Sequence, residues 1–320
     1  MVYKRQEENT ILRVSAEEKM KIPKELIKNI ESKLNCKITS HKVLGSGAHN
    51  LNYLLETDKG KFVLRIYANL QFDNCEKEDA ILEKLDGQFA PKALLSDTAK
   101  KFIEYNYMIQ EFIEGQPIKE LSDDLIIKIA DLMKKVHSIT DESKDRTPQI
   151  ISDWCKKNLL ETSKKMGGAF NKAMIDLHDQ VKARVDKIKP LLKKYKRIHL
   201  IHDDPVLENF LVQDGNIVLI DWELATYNYF FLDLGTFIAE NHITKEHEEK
   251  FLKAYGFGQT EEERKIIEIA KLYRILASIS WLIERICLIK EGKQKHVGAD
   301  LEKHEKHLKK EIACINELLK

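Results

Sequence analysis

The chain has 320 residues, too many for one small core and enough for two lobes. With 43% hydrophobic and 33% charged residues and a net charge of +1, it has the make-up of an ordinary globular protein, not of a general nucleic-acid or membrane-surface binder. Five scattered cysteines without a C-x-x-C pair, a start (MVYKRQEENT) without a signal-peptide core, and a best apolar run (275–283) too short to span a bilayer point to a reduced, cytoplasmic, non-membrane protein.

Residues 1–21 are mostly polar and read as an N-terminal arm. IPKELIKNIESKL (22–34) reads as a helix with Pro23 in its first turn. Three β-like runs follow, ITSHKVLG, LNYLLET and KFVLRIY, with a DKG turn between the second and third. CEKEDAILEKL then places Ile81, Leu82 and Leu85 on one helix face, and PKALLSD and YNYMIQEFI read as two further strands. Residues 22–113 are therefore expected to form a small β-rich N-lobe.

After EGQP (114–117) the apolar spacing becomes helical. Ile126, Ile129, Ala130 and Met133 form one stripe, and Met174, Leu177, Val181, Val185 and Ile188 a second. Ile266, Ile269, Ala270, Tyr273, Ala277 and Trp281 form a third, and Leu301, Leu308, Ile312 and Ile315 a fourth. The one interruption is a hairpin, NFLVQDGNIVLID, turning at Asp214, Gly215 and Asn216. Residues 114–320 are thus expected to be a larger helical C-lobe, in an α+β, bilobal whole. The basic segment KIKPLLKKYKR (187–197) reads as solvated surface, with RNA or an acidic partner as the alternative. The histidines of KHEKHLKK have no matching acid or cysteine set for zinc and read as surface.

HDDPVLENFLVQDGNIVLIDWE (202–223) crowds six acidic residues and two asparagines around two apolar runs. Ionised carboxylates are costly to bury without a partner, and a metal ion is one. Asp204 and Asn209 are five apart, and Asp221 follows the hairpin's second strand. This is the D-x-x-x-x-N … D arrangement of kinases. One carboxylate accepts the proton of the attacking hydroxyl, while the Asn and the second Asp give oxygens to Mg²⁺ on the phosphates of ATP. Asp203 competes as base but lies six residues before Asn209, off the spacing.

LIHDDPVLENFLV and LIDWELATYNYFFLDLG resemble the choline/ethanolamine kinase and aminoglycoside phosphotransferase superfamily, whose motifs are H-x-D with a following Asn and then I-D-[FW]-E. The resemblance runs from about residue 38 to 240 and implies a protein-kinase-like fold. It also implies that Gly45, Ser46 and Gly47 approach the phosphates, that Arg65 holds them and pairs with Glu78, and that the backbone of Gln110 and Phe112 meets adenine. His202 and Asp233 are then orienting residues that hold the loop. Without the resemblance, Arg65 and Glu78 would read as an exposed strand residue and a solvated helix residue.

The function expected is transfer of the γ-phosphate of ATP, with Mg²⁺, to a hydroxyl of a small amine-bearing substrate of choline/ethanolamine type. An aminoglycoside-type alcohol is second, a protein or RNA third, and a non-catalytic nucleotide-binding scaffold last. Glu223, Tyr227, Trp281 and Glu284 are the residues expected to read the amine. Leu224 stands where choline kinases carry an aromatic residue, and of their tryptophan-rich helix only Trp281 remains, which tells against choline itself.

Overall fold

The computed structural model describes residues 22–46, 50–68, 73–140, 150–195, 198–293 and 300–320. The 1–21 arm and Gly47 lie outside them.

Strands β1 (Ile38–Ser46), β2 (Leu51–Thr57), β3 (Gly60–Ile66), β4 (Ala93–Asp97) and β5 (Tyr107–Glu111) form one antiparallel sheet in the order β1-β2-β3-β5-β4. Successive side chains on a strand point to opposite faces. Tyr53, Leu55, Leu64, Ile66, Tyr107 and Ile109 accordingly pack with Leu26 and Ile30 of helix α1 (Lys24–Leu34). Met108, between Tyr107 and Ile109, joins the opposite cluster with Ile81, Leu82 and Leu85 of α2 (Cys75–Leu85). That second cluster continues into the helical lobe, so α2 is shared between the sheet and the rest of the molecule.

The second lobe holds α3 (Asp123–Val136), α4 (Asp153–Leu160), α5 (Gly168–Leu192), α6 (Phe231–Glu240), α7 (Lys245–Tyr255), α8 (Glu261–Lys290) and α9 (Leu301–Leu318). The small sheet and the mainly helical second lobe match the expected bilobal α+β architecture. Helix α8 starts at a capping box in which Thr260 and Glu263 exchange side-chain and backbone bonds. The hairpin is formed by β8 (Phe210–Gln213) and β9 (Asn216–Leu219), turning on Asp214 (φ 50°) and Gly215 (φ 77°).

The hairpin is not the only extended structure in this lobe. β6 (Gln116–Pro117) pairs with β8, and β7 (His199–Ile201) pairs with β10 (Thr226–Asn228). Strands of two or three residues are too short to show an alternating pattern. Helix α6 also left no stripe, because Phe231 through Ile238 are all buried.

Gly235 of α6 sets the distance to α8. A Cβ there would lie 2.5 Å from Cβ of Ala270, so the two backbones cross with no room for a side chain. One turn beyond Ala270, Arg274 is thereby brought against the loop that follows β7.

Candidate active site

The loop after β7 is tied at each residue. Asp233, in the first turn of α6, accepts the backbone N–H of His202 at 2.7 Å and of Asp203 at 2.8 Å. Its Oδ2 also meets His137 Nε2 at 3.0 Å, while His137 Nδ1 lies 2.8 Å from the Tyr255 hydroxyl. The Asp233 carboxylate is an acceptor, so the proton of that contact sits on His137 Nε2. His202 donates from Nε2 to the carbonyl of Ile220 at 3.0 Å, accepts the Asp204 N–H at Nδ1 and packs edge-on against Trp222. One imidazole thus joins the segment before Asp204 to the segment before Asp221.

Asn209 completes the frame. Its Nδ2 donates to the carbonyl of Asp204 at 3.0 Å, and its own carbonyl accepts the N–H of Ile220 at 2.9 Å. Its Oδ1 has no hydrogen-bond partner among the described residues. Asp203 and Asp221 both adopt left-handed backbone, φ 66° and 67°, which an Asp tolerates better than most residues.

Across the cleft, Arg65 of β3 is buried in a nest of carboxylates. Its Nη2 lies 2.6 Å from Asp221 Oδ1 and 3.3 Å from Glu223 Oε2, and its Nε lies 3.1 Å from Glu78 Oε2 without hydrogen-bond alignment. Glu78 accepts from the Tyr67 hydroxyl at 2.6 Å and from Gln110 Nε2 at 3.3 Å. Asn50 donates to Glu223. Burial alone would weaken the Arg65 charge; Glu78 and then Asp221 outweigh it and keep the guanidinium protonated. Burial likewise raises the Glu223 carboxyl, and Arg65 pulls it back. The second oxygen of Asp221 has no partner among the described residues.

The other residues expected on the nucleotide side are placed more plainly. Gly45 and Ser46 end β1, paired with Asn52 and Leu51 of β2. Gln110 sits inside β5, paired with Val63 and Ala93, and its side chain serves Glu78. Phe112 lies just beyond β5, and its N–H makes only a long 3.4 Å bond to Lys61.

Arg274 of α8 was not singled out in the sequence. It donates from Nη2 to Asp204 Oδ1 at 2.9 Å, from Nε to Glu240 Oε1 at 2.7 Å and from Nη1 to the Asp203 carbonyl at 3.4 Å. Its one signal is an arginine set within an apolar helical run, IAKLYRILASISW. Burial pushes the Asp204 carboxyl up and Arg274 pulls it back down. Burial and Asp233 push Asp203 up to about 7, and its side chain has no hydrogen-bond or ion-pair partner among the described residues.

Each of the four expected amine readers has a protein partner. Glu223 is held by Arg65 and Asn50. The Tyr227 hydroxyl accepts from Lys84 of α2 at 2.8 Å, with that ammonium also over its ring. The Trp281 ring meets the Arg285 guanidinium at 4.9 Å and the His304 ring at 5.7 Å. Glu284 accepts from Trp154 Nε1 at 3.2 Å. His304 is buried, contrary to the surface reading of that helix, because it faces α8 and not water.

A profile of the APH phosphotransferase enzyme family matches residues 40–268. The chain belongs to this family. The match takes in the sheet, the loop and the hairpin and stops short of Arg274 and Trp281. Protein LicA of Haemophilus influenzae is 28% identical over 114 residues, 32% of this chain and 43% of that protein. The matched stretch thus spans less than half of that relative's length. A homoserine kinase of Zymomonas mobilis is 25% identical over 254 residues, covering 71% of this chain and 75% of that protein. Among solved structures, the choline kinase LicA from Streptococcus pneumoniae superposes with a TM-score of 0.62 at 21% identity, over 91% of this chain and 98% of that one. This likeness is one of fold.

Proposed function

We propose that the protein transfers the γ-phosphate of ATP to a hydroxyl of a small amine-bearing molecule. The observation that carries the reading is one bonded set of side chains, Asn209 on the Asp204 carbonyl and Asp221 on Arg65, which also meets Glu78. Asp204 acts as base through the oxygen that Arg274 leaves open, accepting the acceptor's proton. Arg65 shares its guanidinium with the nucleotide phosphates, with the end of β1 at Gly45 and Ser46 as the backbone that approaches them. Phe112 is the adenine contact that the sheet leaves least bonded.

The open oxygens of Asn209 and Asp221 fit Mg²⁺, which favours hard oxygen donors. Among the described residues no three His, Cys, Asp or Glu side chains converge into a metal cage. That suits an ion completing its shell with water and phosphate oxygens, and such an ion would supply charge neutralisation at the phosphates.

The amine reading rests on two supports. The substrates named for the choline kinase and homoserine kinase neighbours both pair a hydroxyl with a cationic nitrogen. In this chain Asp203, next to the base and with no side-chain partner among the described residues, is our candidate carboxylate for an ammonium. Lys77 of α2 and Arg274 are the cations whose charge reaches it. A primary ammonium offers N–H donors to a carboxylate. A quaternary one needs ring faces, and the Trp281 ring is already covered.

The test is ADP release from Mg²⁺-ATP with ethanolamine, choline, homoserine, spectinomycin, tRNA and casein, each product checked by mass spectrometry. A phosphomonoester of ethanolamine or homoserine is expected. Phosphorylated tRNA or casein, or no product with any acceptor, would overturn the reading.

A further inference from the structure

We propose that Arg274 is the positioning residue for the base of the reaction, holding Asp204 from the part of α8 that lies beyond the family match. This rests on the phosphotransferase reading above. A carboxylate on a loop can rotate about its χ angles, and a shift of about 1 Å in a reacting group costs roughly 100-fold in rate. Three contacts remove that freedom here. The Nη2 bond fixes Asp204 Oδ1, the Nη1 contact reaches the carbonyl of Asp203, and the Nε bond anchors the guanidinium to Glu240 at the end of α6.

The guanidinium is planar, so its two edges bind Glu240 and Asp204 in a set relative direction. It stays protonated, because Glu240 and Asp204 more than offset its burial. Behind it, Gly235 lets α6 and α8 touch, which fixes where Arg274 starts from. The clamp leaves the second oxygen of Asp204 for the acceptor. Each of the three Arg274 nitrogens donates to a protein partner, which argues for orientation over substrate binding.

The experiment compares Arg274→Gln, Arg274→Lys, Arg274→Ala and Glu240→Gln in the full chain, with ethanolamine or homoserine as acceptor. Arg274→Gln is expected to lower kcat roughly 10- to 100-fold, with KM for ATP and for the acceptor within about twofold. Lysine carries one charge on a single nitrogen and cannot bridge both carboxylates as the fork does, so Arg274→Lys is expected to recover only part of the loss. Guanidinium ion added to Arg274→Ala should raise its turnover, and Glu240→Gln should show the same pattern more weakly. A kcat for Arg274→Gln within twofold of the parent, or a loss matched by a rise in KM, would overturn the proposal.

A second readout needs no turnover. In urea unfolding, Arg274→Gln, Asp204→Asn and the double variant form a cycle. Non-additive effects are expected for a direct contact, and additive ones would overturn it. If the parent turns over no acceptor, the phosphotransferase reading fails while the cycle still decides whether Arg274 holds Asp204.

Discussion

The loop and hairpin at 202–223 and the α8 face at Trp281 and Glu284 lie in the same lobe, yet they relate to their sequence in different ways. In the first, the frame around the functional side chains is made by side-chain bonds to backbone within one stretch of chain: Asn209 to Asp204, His202 to Ile220, Asp233 to His202 and Asp203. In the second, the role of each side chain depends on which neighbour the long helix meets. Trp281 meets Arg285 and His304, and Glu284 meets Trp154 of α4. A motif whose frame closes within one stretch of chain keeps its spacing. A helix face has its meaning assigned only on packing.

The largest effect should come from breaking the frame of the first region. Asp233→Ala removes the acceptor of two backbone N–H groups and of His137 at a buried site, and should cost about 3–5 kcal/mol in urea unfolding. A loss below about 1 kcal/mol would show that the loop is held by something else.

Next in size are the two open oxygens. Asp221→Asn and Asn209→Ala should each move the Mg²⁺ midpoint for ATP binding upward, by roughly 10-fold, because a neutral or missing oxygen is a poorer ligand for a hard cation. Unchanged midpoints in both would remove them from the metal.

Asp203 sits on the border between the regions, bonded through its backbone but open through its side chain. Asp203→Asn should raise KM for a primary amino alcohol by about 10-fold with little change in kcat. It should also alter the pH dependence of stability. Asp203 ionises near 3.8 when unfolded and is raised to about 7 when folded, so the unfolded chain releases this proton first. Its contribution to stability therefore falls as pH rises between those values. Asp203→Asn should flatten that part of the profile, and an unchanged slope in urea titrations from pH 4 to 7 would contradict the assignment.

The smallest effect is expected on the α8 face. Trp281→Leu and Glu284→Gln should leave the acceptor KM within about twofold, since both side chains already have partners. A tenfold rise in either would return the amine to that wall and narrow the difference between the two regions.

The two lobes, five N-lobe strands, the four helical stripes and the hairpin were legible from periodicity, and Asp204, Asn209 and Asp221 from spacing. Arg65 and Glu78 were legible only through resemblance, because a lone strand arginine and a lone helix glutamate carry no pattern. Arg274 was not read, since its partners lie 34 and 70 residues away in the chain. β7 and β10 were missed for their length, and His304 because burial by a neighbouring helix leaves no mark in a charged run.

The central claim, that Asp204 removes the acceptor's proton in a cleft that binds ATP independently of it, is tested on one preparation of Asp204→Ala. Calorimetry should give an affinity for Mg²⁺-ATP within about threefold of the parent, while turnover with the best acceptor falls by roughly 10² to 10⁴. Turnover near that of the parent, or a comparable loss only in Asp203→Asn, would contradict it.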